Sequence, residues 1–569
     1  VSFSGTRAWL LVPLLLCGCS ARRPAEVRKI AIPPFENLSA EARLDWLESG
    51  FGEMLRLELT GSPRSLPVRV ARAADAIPAG AAYVVRGYYF RSGGRLRVEA
   101  TLEDLRAQST VETASASAPG EGGAIALGES IARQIDPAAR PAGTRNPAAL
   151  EAMVRGDFPS AAAADPDFGA AYVAWAQSLV ARRETDKARE VIATARARAG
   201  RFPAVERDLF ALAAASLDND AAGRRRALIA LSRSTPADPF PLAALAEQDF
   251  NARAFPGAAV FYRQALERDP DNVAILNQLG YAEAYAGDLA SAVQHLTRYR
   301  DLRPREANPL DSLGDVNYYA GRFAEAEKYY LQAHARDATF LAGGELYKAA
   351  WARLMRGDLA GADALFAKYM QASPDALAPY RRAQWEYLTG RRREGMARLA
   401  ALDTPLAAAQ LAIWQLETGD PAGARRNALR AGAAGPGAIV RYVTMPQGAP
   451  PPGLAGEYAS AYALLYSKQF RAAGERLRAL YARTPPGSGE PLEVLLAWTV
   501  AESGDARHAA ALAATNVIPD TAGAHLFLSL SFPRILFLRG DYKLFLQYSG
   551  DLPTIFGEEA RARAALAGR

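Results

Sequence analysis

Side chains able to do chemistry are few in this 569-residue chain, and their spacing does not suit catalysis. The four histidines, His295, His334, His508 and His525, are scattered. No pair has the i, i+4 spacing that puts two imidazoles on one helix face, so a histidine metal site is not expected. Asp45, Glu48 and Glu53 could do acid–base work, but no histidine or supporting partner pattern stands near them. A solvated helix face accounts for them better. Gly120-Glu121-Gly122-Gly123 precedes a helical stretch, where backbone amides can cradle a phosphate. It lacks the lysine and Ser/Thr of a phosphate-binding loop, and a plain flexible loop is the better reading. The two cysteines, Cys17 and Cys19, both lie at the extreme N-terminus. The rest of the chain therefore holds no disulfide, zinc–thiolate site or thiol nucleophile. No Ser-His-Asp order or dinucleotide fingerprint appears. Neither an enzyme nor a cofactor is expected.

Composition points the same way. Half of the residues are hydrophobic and 22% are charged, an ordinary folded composition. The formal charge of +6 is small for this length and gives no case for nucleic-acid binding, which needs a concentrated basic face. The runs Arg224–Arg226 and Arg391–Arg393 read as solvated helix faces or turns. The length predicts several domains or one long array.

The N-terminal residues read as a secretory signal. Arg7 precedes an apolar run from Trp9 to Leu16 that is too short to span a bilayer. Leu16-Cys17-Gly18-Cys19 resembles a bacterial lipoprotein cleavage box, with Leu16 three residues before Cys19 and Gly18 directly before it. The resemblance implies a signal over residues 1–18, a diacylated Cys19 and a tether over 19–26. An ordinary signal peptide that happens to hold two cysteines is the competing reading. In that family Asp after the cysteine retains the protein in the inner membrane. Ser20 stands here, which implies a lipid-anchored envelope protein of the outer membrane. Two acyl chains anchor stably where one would not.

Residues 27–136 alternate in character. Arg28–Phe35 reads as a buried strand, and Glu41–Thr60 carries Leu44, Leu47, Phe51, Met54, Leu55 and Leu59 at helical spacing. Leu66–Ala71 is a short strand. Ala82–Arg91 and Leu96–Leu105 form two strands joined through Ser92-Gly93-Gly94, a hairpin signal. Thr110–Ser117 adds an edge strand, and 122–136 returns to helical spacing. The segments IAIPPFENLS, WLESGFGEMLRLEL and YVVRGYYFRSGGRLRVEATLED resemble the TolB N-terminal-like domain. That domain is related to flagellar (FlgO-like) and curli-secretion (CsgG-like) lipoprotein domains. The matching positions are Pro34, Phe35, Asn37, Gly50, Gly87 and Arg97. The resemblance implies a compact mixed sheet with helices, a periplasmic or signalling context and a binding role. Residues 137–147, rich in Pro, Ala and Gly, read as a linker.

A fixed period governs the remainder of the chain. Pro270 and Pro304, Gly280 and Gly314, Gly287 and Gly321, and Ala292 and Ala326 are each separated by about 34 residues. Gly280 and Gly314 are expected where the two helices of a pair cross, with Ala292 and Ala326 as small partners. Gly287, Gly321, Gly357, Gly390, Gly419 and Gly504 end first helices. This pattern is identified as that of tetratricopeptide (TPR) repeats. The fold class is therefore mainly α: a TPR solenoid preceded by a small α/β domain. The array covers 148–433, a Pro/Gly-rich loop at 434–453 interrupts it, and 454–569 adds C-terminal repeats and a polar capping helix at 555–568. His525–Leu538 reads as a buried helix of the last pair.

The family pattern implies a concave face lined by first helices. Its exposed positions would be Glu247, Phe250, Asn277, Tyr281, Asp311, Asp315, Tyr318, Tyr347, Trp351, Tyr380, Gln384 and Tyr387. Their aromatic and acidic mix suits a protein surface. Packing of several of these aromatics between repeats is an equal alternative. No Lys or Arg falls at these positions, which disfavours a clamp for a terminal carboxylate. The expected partners are protein on the solenoid and membrane through Cys19, with no nucleic acid and no small-molecule cofactor. The expected function is a membrane-anchored interaction scaffold or assembly subunit. The alternative is a ligand-sensing or regulatory module, as in TPR-bearing adenylate cyclases and transcriptional regulators, without their output domain.

Overall fold

The computed structural model describes residues 27–39, 41–120, 122–373, 377–486, 492–505, 509, 512, 516–519 and 525–568. The signal segment, Cys19 and its tether fall outside the described residues, as does His508. Among the described residues no helix is long and apolar enough to cross a membrane. The chain divides into two compact units, residues 1–239 and 240–569.

The first unit begins with a mixed sheet. Its strands are β1 (Arg28–Ile32), β2 (Glu36–Asn37), β3 (Ser65–Arg69), β4 (Tyr83–Ser92), β5 (Arg95–Asp104) and β6 (Ser109–Pro119). The order is β3-β1-β4-β5-β6, with β2 paired to β4. β1 runs parallel to β3 and β4, and β4-β5-β6 is an antiparallel meander. Gly93 and Gly94 turn the β4–β5 hairpin with φ of +57° and +75°, the left-handed pair a two-residue turn requires. Helices α1 (Trp46–Leu59) and α2 (Ala124–Ile135) bring Phe51, Met54 and Ile131 onto the inward strand residues Ile30, Val85, Val98 and Leu102. Gly87 is dictated by this packing, since a Cβ there would stand 2.0 Å from the Phe35 ring.

Six more helices complete this unit: α3 (Pro147–Val154), α4 (Phe158–Ala164), α5 (Gly169–Ala181), α6 (Thr185–Arg196), α7 (Ala204–Leu217) and α8 (Ala221–Ser234). Residues 137–147 are not a loose spacer. Arg140 donates to the carbonyls of Leu57 and Thr60 and pairs with Glu206 at 2.9 Å. Thr144 donates to Asp165 at 2.6 Å, and Asn146 caps α3. The sheet core continues through Leu150, Phe168 and Ala171, so the Pro/Gly composition marks a tied strap.

The second unit stacks antiparallel helix pairs. They are α9 (Phe240–Asn251) with α10 (Phe255–Arg268), α11 (Val273–Tyr285) with α12 (Leu289–Leu302), and α13 (Asn308–Tyr319) with α14 (Phe323–Arg336). Next come α15 (Gly344–Met355) with α16 (Leu359–Ala372), α17 (Ala378–Leu388) with α18 (Arg392–Ala400), and α19 (Pro405–Glu417) with α20 (Pro421–Arg430). The crossings are as the period implies. A Cβ on Gly280 would stand 2.5 Å from Leu296, and one on Gly314 2.4 Å from Tyr330, while Ala292 and Ala326 are fully buried. Gly287 and Gly321 leave their first helices with φ of +90° and +76°.

Beyond these pairs the structure departs from expectation in three places. The stretch read as a loop, 434–453, contains the ten-residue helix α21 (Gly435–Thr444), which buries Val440 and Val443. Helices α22 (Leu454–Tyr466), α23 (Phe470–Arg483) and α24 (Leu492–Glu502) come after it. The apolar run 525–538 is not one helix but two, α25 (Leu528–Ser531) and α26 (Arg534–Leu538), divided at Pro533, which supplies no N–H for a continuing ladder. After α27 (Tyr542–Ser549), the last helix α28 (Glu558–Ala567) is polar as a cap should be but is not fully solvated, because Glu558 and Glu559 in its first turn are buried.

Candidate binding groove

First helices of the second unit carry all twelve positions expected on an open face. The structure keeps only Glu247 exposed. Phe250, Asn277, Tyr281 and Tyr347 are half-buried. Asp311, Asp315, Tyr318, Trp351, Tyr380, Gln384 and Tyr387 are buried, which corrects the expectation of exposure for these seven. Two physical reasons account for this: pairing between neighbouring first helices, and cover from the chain's own later residues.

The first reason is an ionic cluster one repeat wide. Asp311 and Asp315 lie one turn apart on α13, and Lys348 of α15 donates to both at 2.9 Å. Tyr281 and Tyr330 add their hydroxyls to Asp315 at 2.8 and 2.9 Å. Burial, together with the Asp315 charge, pushes the Asp311 carboxyl up to about 6 against the pull of Lys348. Burial works to lower the Lys348 ammonium, but the charges of Asp315 and Asp311 outweigh it and the group is raised. Glu345, one turn before Lys348, is fully buried with neither carboxyl oxygen hydrogen-bonded, and burial pushes it up to about 7. Sequence reasoning found the two aspartates and missed Lys348, Tyr330 and Glu345. The available signal was the repeat itself, since Lys348 stands little more than one period after Asp311.

The second reason is the C-terminal segment. Asn516 donates from its backbone and from its side chain to the Tyr319 carbonyl, each at 3.2 Å. The side-chain amides of Gln384 and Gln410 donate to the backbone carbonyls of His525 (2.9 Å) and Leu526 (2.8 Å). Phe532 sets its ring edge-on to Trp351 at 4.7 Å, and Phe527 stacks on Tyr462 at 3.7 Å. The Tyr548 hydroxyl donates to the Leu354 carbonyl at 2.7 Å, and Arg392 to the Leu552 carbonyl. Deeper in, Glu417 accepts from Tyr387 and Tyr466, both at 3.0 Å, and from Ser529 at 2.9 Å. Burial still raises its carboxyl above the usual range. Arg534 pairs with Glu558 at 2.5 Å and lies over the rings of Trp498 (4.4 Å) and Phe556 (4.8 Å). The face formed by α13 to α19 therefore holds a peptide segment already, and that segment belongs to this chain.

This face also has an opening. A half-enclosed cavity of about 80 Å³ lies between Tyr318, Tyr347 and Trp351 on the repeat side and Leu528, Phe532 and Ile535 on the segment side. The other candidate groups serve structure. Asp45 accepts from Asn37 at 2.8 Å, Glu53 pairs with Arg56 at 2.6 Å, and His295 meets Glu283 at 2.7 Å. Among the described residues no group of His, Cys, Asp and Glu could hold a metal ion.

No family model matches the chain. Over 75 residues it is 37% identical to a TPR repeat-containing protein of Pseudomonas aeruginosa, which is 13% of this chain and 13% of that relative. The match thus spans a small fraction of the relative's length. Among solved structures, the chain is similar to one in the crystal structure of the APC/C hetero-tetramer Cut9-Hcn1. The match has 15% identity and a TM-score of 0.24, covering 68% of this chain and 80% of that one. The helix pairs of the second unit form a TPR-like solenoid, and 75 residues of the chain are similar to a TPR repeat-containing protein.

Proposed function

We propose that this protein is an interaction scaffold anchored to a membrane of the cell envelope. The array holds a protein partner, and a diacylated Cys19 holds the array at the membrane. The observation that carries the binding reading is the stack of tetratricopeptide-type helix pairs in the second unit. The repeat match agrees with it. The partner surface lies on α9 and α11, where Glu247 is exposed and Phe250, Asn277 and Tyr281 stay partly accessible. The first unit has the compact mixed sheet with helices that a TolB-like domain implies, and two of the resembling positions, Phe35 and Gly87, lie against each other in it. The residue next to Cys19 supports the outer membrane, because it is Ser20 and not Asp.

Two experiments test this reading. A clickable fatty acid should label the wild type and leave Cys19→Ala unlabelled; label that survives the change removes the anchor. Affinity purification from solubilised membranes should return a stoichiometric protein partner, and Glu247→Lys with Tyr281→Ala should lose it. A partner retained by that double variant moves the binding surface elsewhere.

A further inference from the structure

The positive charge of the chain is not spread evenly. Residues 421–486 hold nine Arg and Lys against two Glu, a net charge of +7, while the whole chain carries +6. The rest of the molecule is therefore close to neutral. The excess sits on α20 to α23, each of which packs on the next. On α20 the side chains of Arg425, Arg426, Leu429 and Arg430 are all exposed, at the spacing of one helix face. Arg471, Arg476 and Arg478 are exposed on α23. Of these six arginines only Arg430 pairs with a carboxylate among the described residues, that of Asp403 at 3.1 Å. Glu493 and Glu502 of α24 are taken by Arg253 and Arg561. The basic face also carries apolar tips, since Leu429 and Leu454 are 56% and 54% exposed. Both lie toward one edge. Glu417, ending α19, accepts from Tyr466, ending α22, so those two helices start side by side. Arg430 and Arg483, ending α20 and α23, reach back to Asp403 and Glu457 at those starts. No exposed residue in 421–486 is aromatic, so a nucleic acid would find phosphate contacts but no ring on which to stack a base. An anionic lipid surface needs the combination present here, arginines for headgroup phosphates and leucines for the acyl boundary beneath them.

We infer that the α20–α23 face docks on an anionic phospholipid bilayer, with Arg425, Arg426, Arg471, Arg476 and Arg478 on headgroup phosphates and Leu429 and Leu454 entering the boundary below. The contact uses none of the partner positions on α9 and α11. It needs no acyl chain, so it stands or falls separately from the anchor at Cys19.

The test uses the full chain carrying Cys17→Ala and Cys19→Ala, which cannot be acylated, and sedimentation with vesicles of equal parts phosphatidylglycerol and phosphatidylcholine. The protein should bind these vesicles and not vesicles of phosphatidylcholine alone. Binding should fade as salt rises from about 0.05 to about 0.5 M, because screening shortens the reach of the arginines. Each basic residue at such a surface contributes about fivefold. Arg425→Glu with Arg426→Glu, and Arg476→Glu with Arg478→Glu, should therefore each weaken binding by more than about tenfold. Leu429→Ser with Leu454→Ser should weaken it by about threefold or more. Arg196→Glu with Arg226→Glu, which reverses two exposed arginines of the first unit, should bind like the parent. All these changes are at exposed side chains, and circular dichroism checks that each variant is folded. The inference is overturned if the vesicles are not bound, if the first-unit reversals weaken binding as much as those on α20 and α23, or if the leucine pair leaves binding unchanged. It is also overturned if a DNA duplex binds more tightly than the vesicles at the same salt, which would make the face a nucleic-acid site.

Discussion

The sheet of the first unit and the first-helix face of the second both need cover, and they obtain it differently. Helices α1 and α2 close the sheet mainly with apolar contacts, through Phe51, Met54, Leu127 and Ile131, with the Gln134 amide on the Ser115 backbone and Glu53 near Arg69 as the polar additions. The helix face is closed by a later segment tied down with polar chemistry: glutamine amides on backbone carbonyls, tyrosine hydroxyls on Glu417, and Arg534 between Glu558 and two aromatic rings. Apolar cover tolerates any shape-matched substitute. Polar cover requires every donor to find its acceptor, so it fixes one segment in one register. The difference teaches that most of the aromatic and carboxamide groups on the first helices of the second unit are engaged by the chain's own later segment.

The largest expected effect breaks the polar side of this comparison. Lys348→Met leaves Asp311 and Asp315 buried without their cation and should cost about 3–5 kcal/mol in urea unfolding near neutral pH. The loss should shrink as pH falls below the Asp311 value of about 6, because that carboxyl then protonates. The apolar side breaks at Glu58 of α1, which is fully buried with both oxygens unpartnered and pushed by burial up to about 9. Its folded form stays protonated while the unfolded form ionises above 4.5, so stability falls as pH rises from 4.5 to about 9. Glu58→Gln should remove that slope and add about 3 kcal/mol at pH 7. Glu345 has the same sign, but its dependence should end by about pH 7. Melts monitored separately for the two units would thus show different alkaline limits. Smaller losses of about 1–3 kcal/mol should result from Gly87→Ala in the first unit and Gly314→Ala in the second, since each new Cβ meets an aromatic ring that must shift.

The sequence made much of this legible, and where it did not the reason is physical. Local periodicity gave every strand of the sheet except the two-residue β2, and the helix crossings at Gly280 and Gly314, because those depend on neighbours within one motif. The strap at 137–147 was not legible: its order comes from Arg140 reaching Glu206, and composition carries no trace of a contact that distant. Helix α21 was masked by Pro436 and flanking glycines, yet proline in a first turn is compatible with a helix. The twelve face positions were correctly placed on first helices, but their burial depends on Asn516 and residues 525–556 folding back from over a hundred positions away. No periodic signal marks such a return. Lys348 stands 37 residues after Asp311, so only the stacking of α15 on α13 brings its ammonium to the two carboxylates.

The smallest effect is also the sharpest probe of self-cover. Gln384→Ala and Gln410→Ala each remove one amide from a backbone carbonyl of the segment, and each should cost about 1 kcal/mol globally. Local consequences should exceed that figure. The two amides hold adjacent carbonyls, those of His525 and Leu526, from successive first helices, so losing both loosens the start of a segment still held by Phe527 on Tyr462 and Ser529 on Glu417. Hydrogen exchange in the double variant should quicken over 525–531 while α11–α14 and the sheet of the first unit stay protected. Uniform quickening would mean the segment is an ordinary part of the cooperative core, no different from α1 on the sheet. Selective quickening would mean it is a separable cover, and the aromatic and carboxamide face beneath it would then be open to a peptide from another chain.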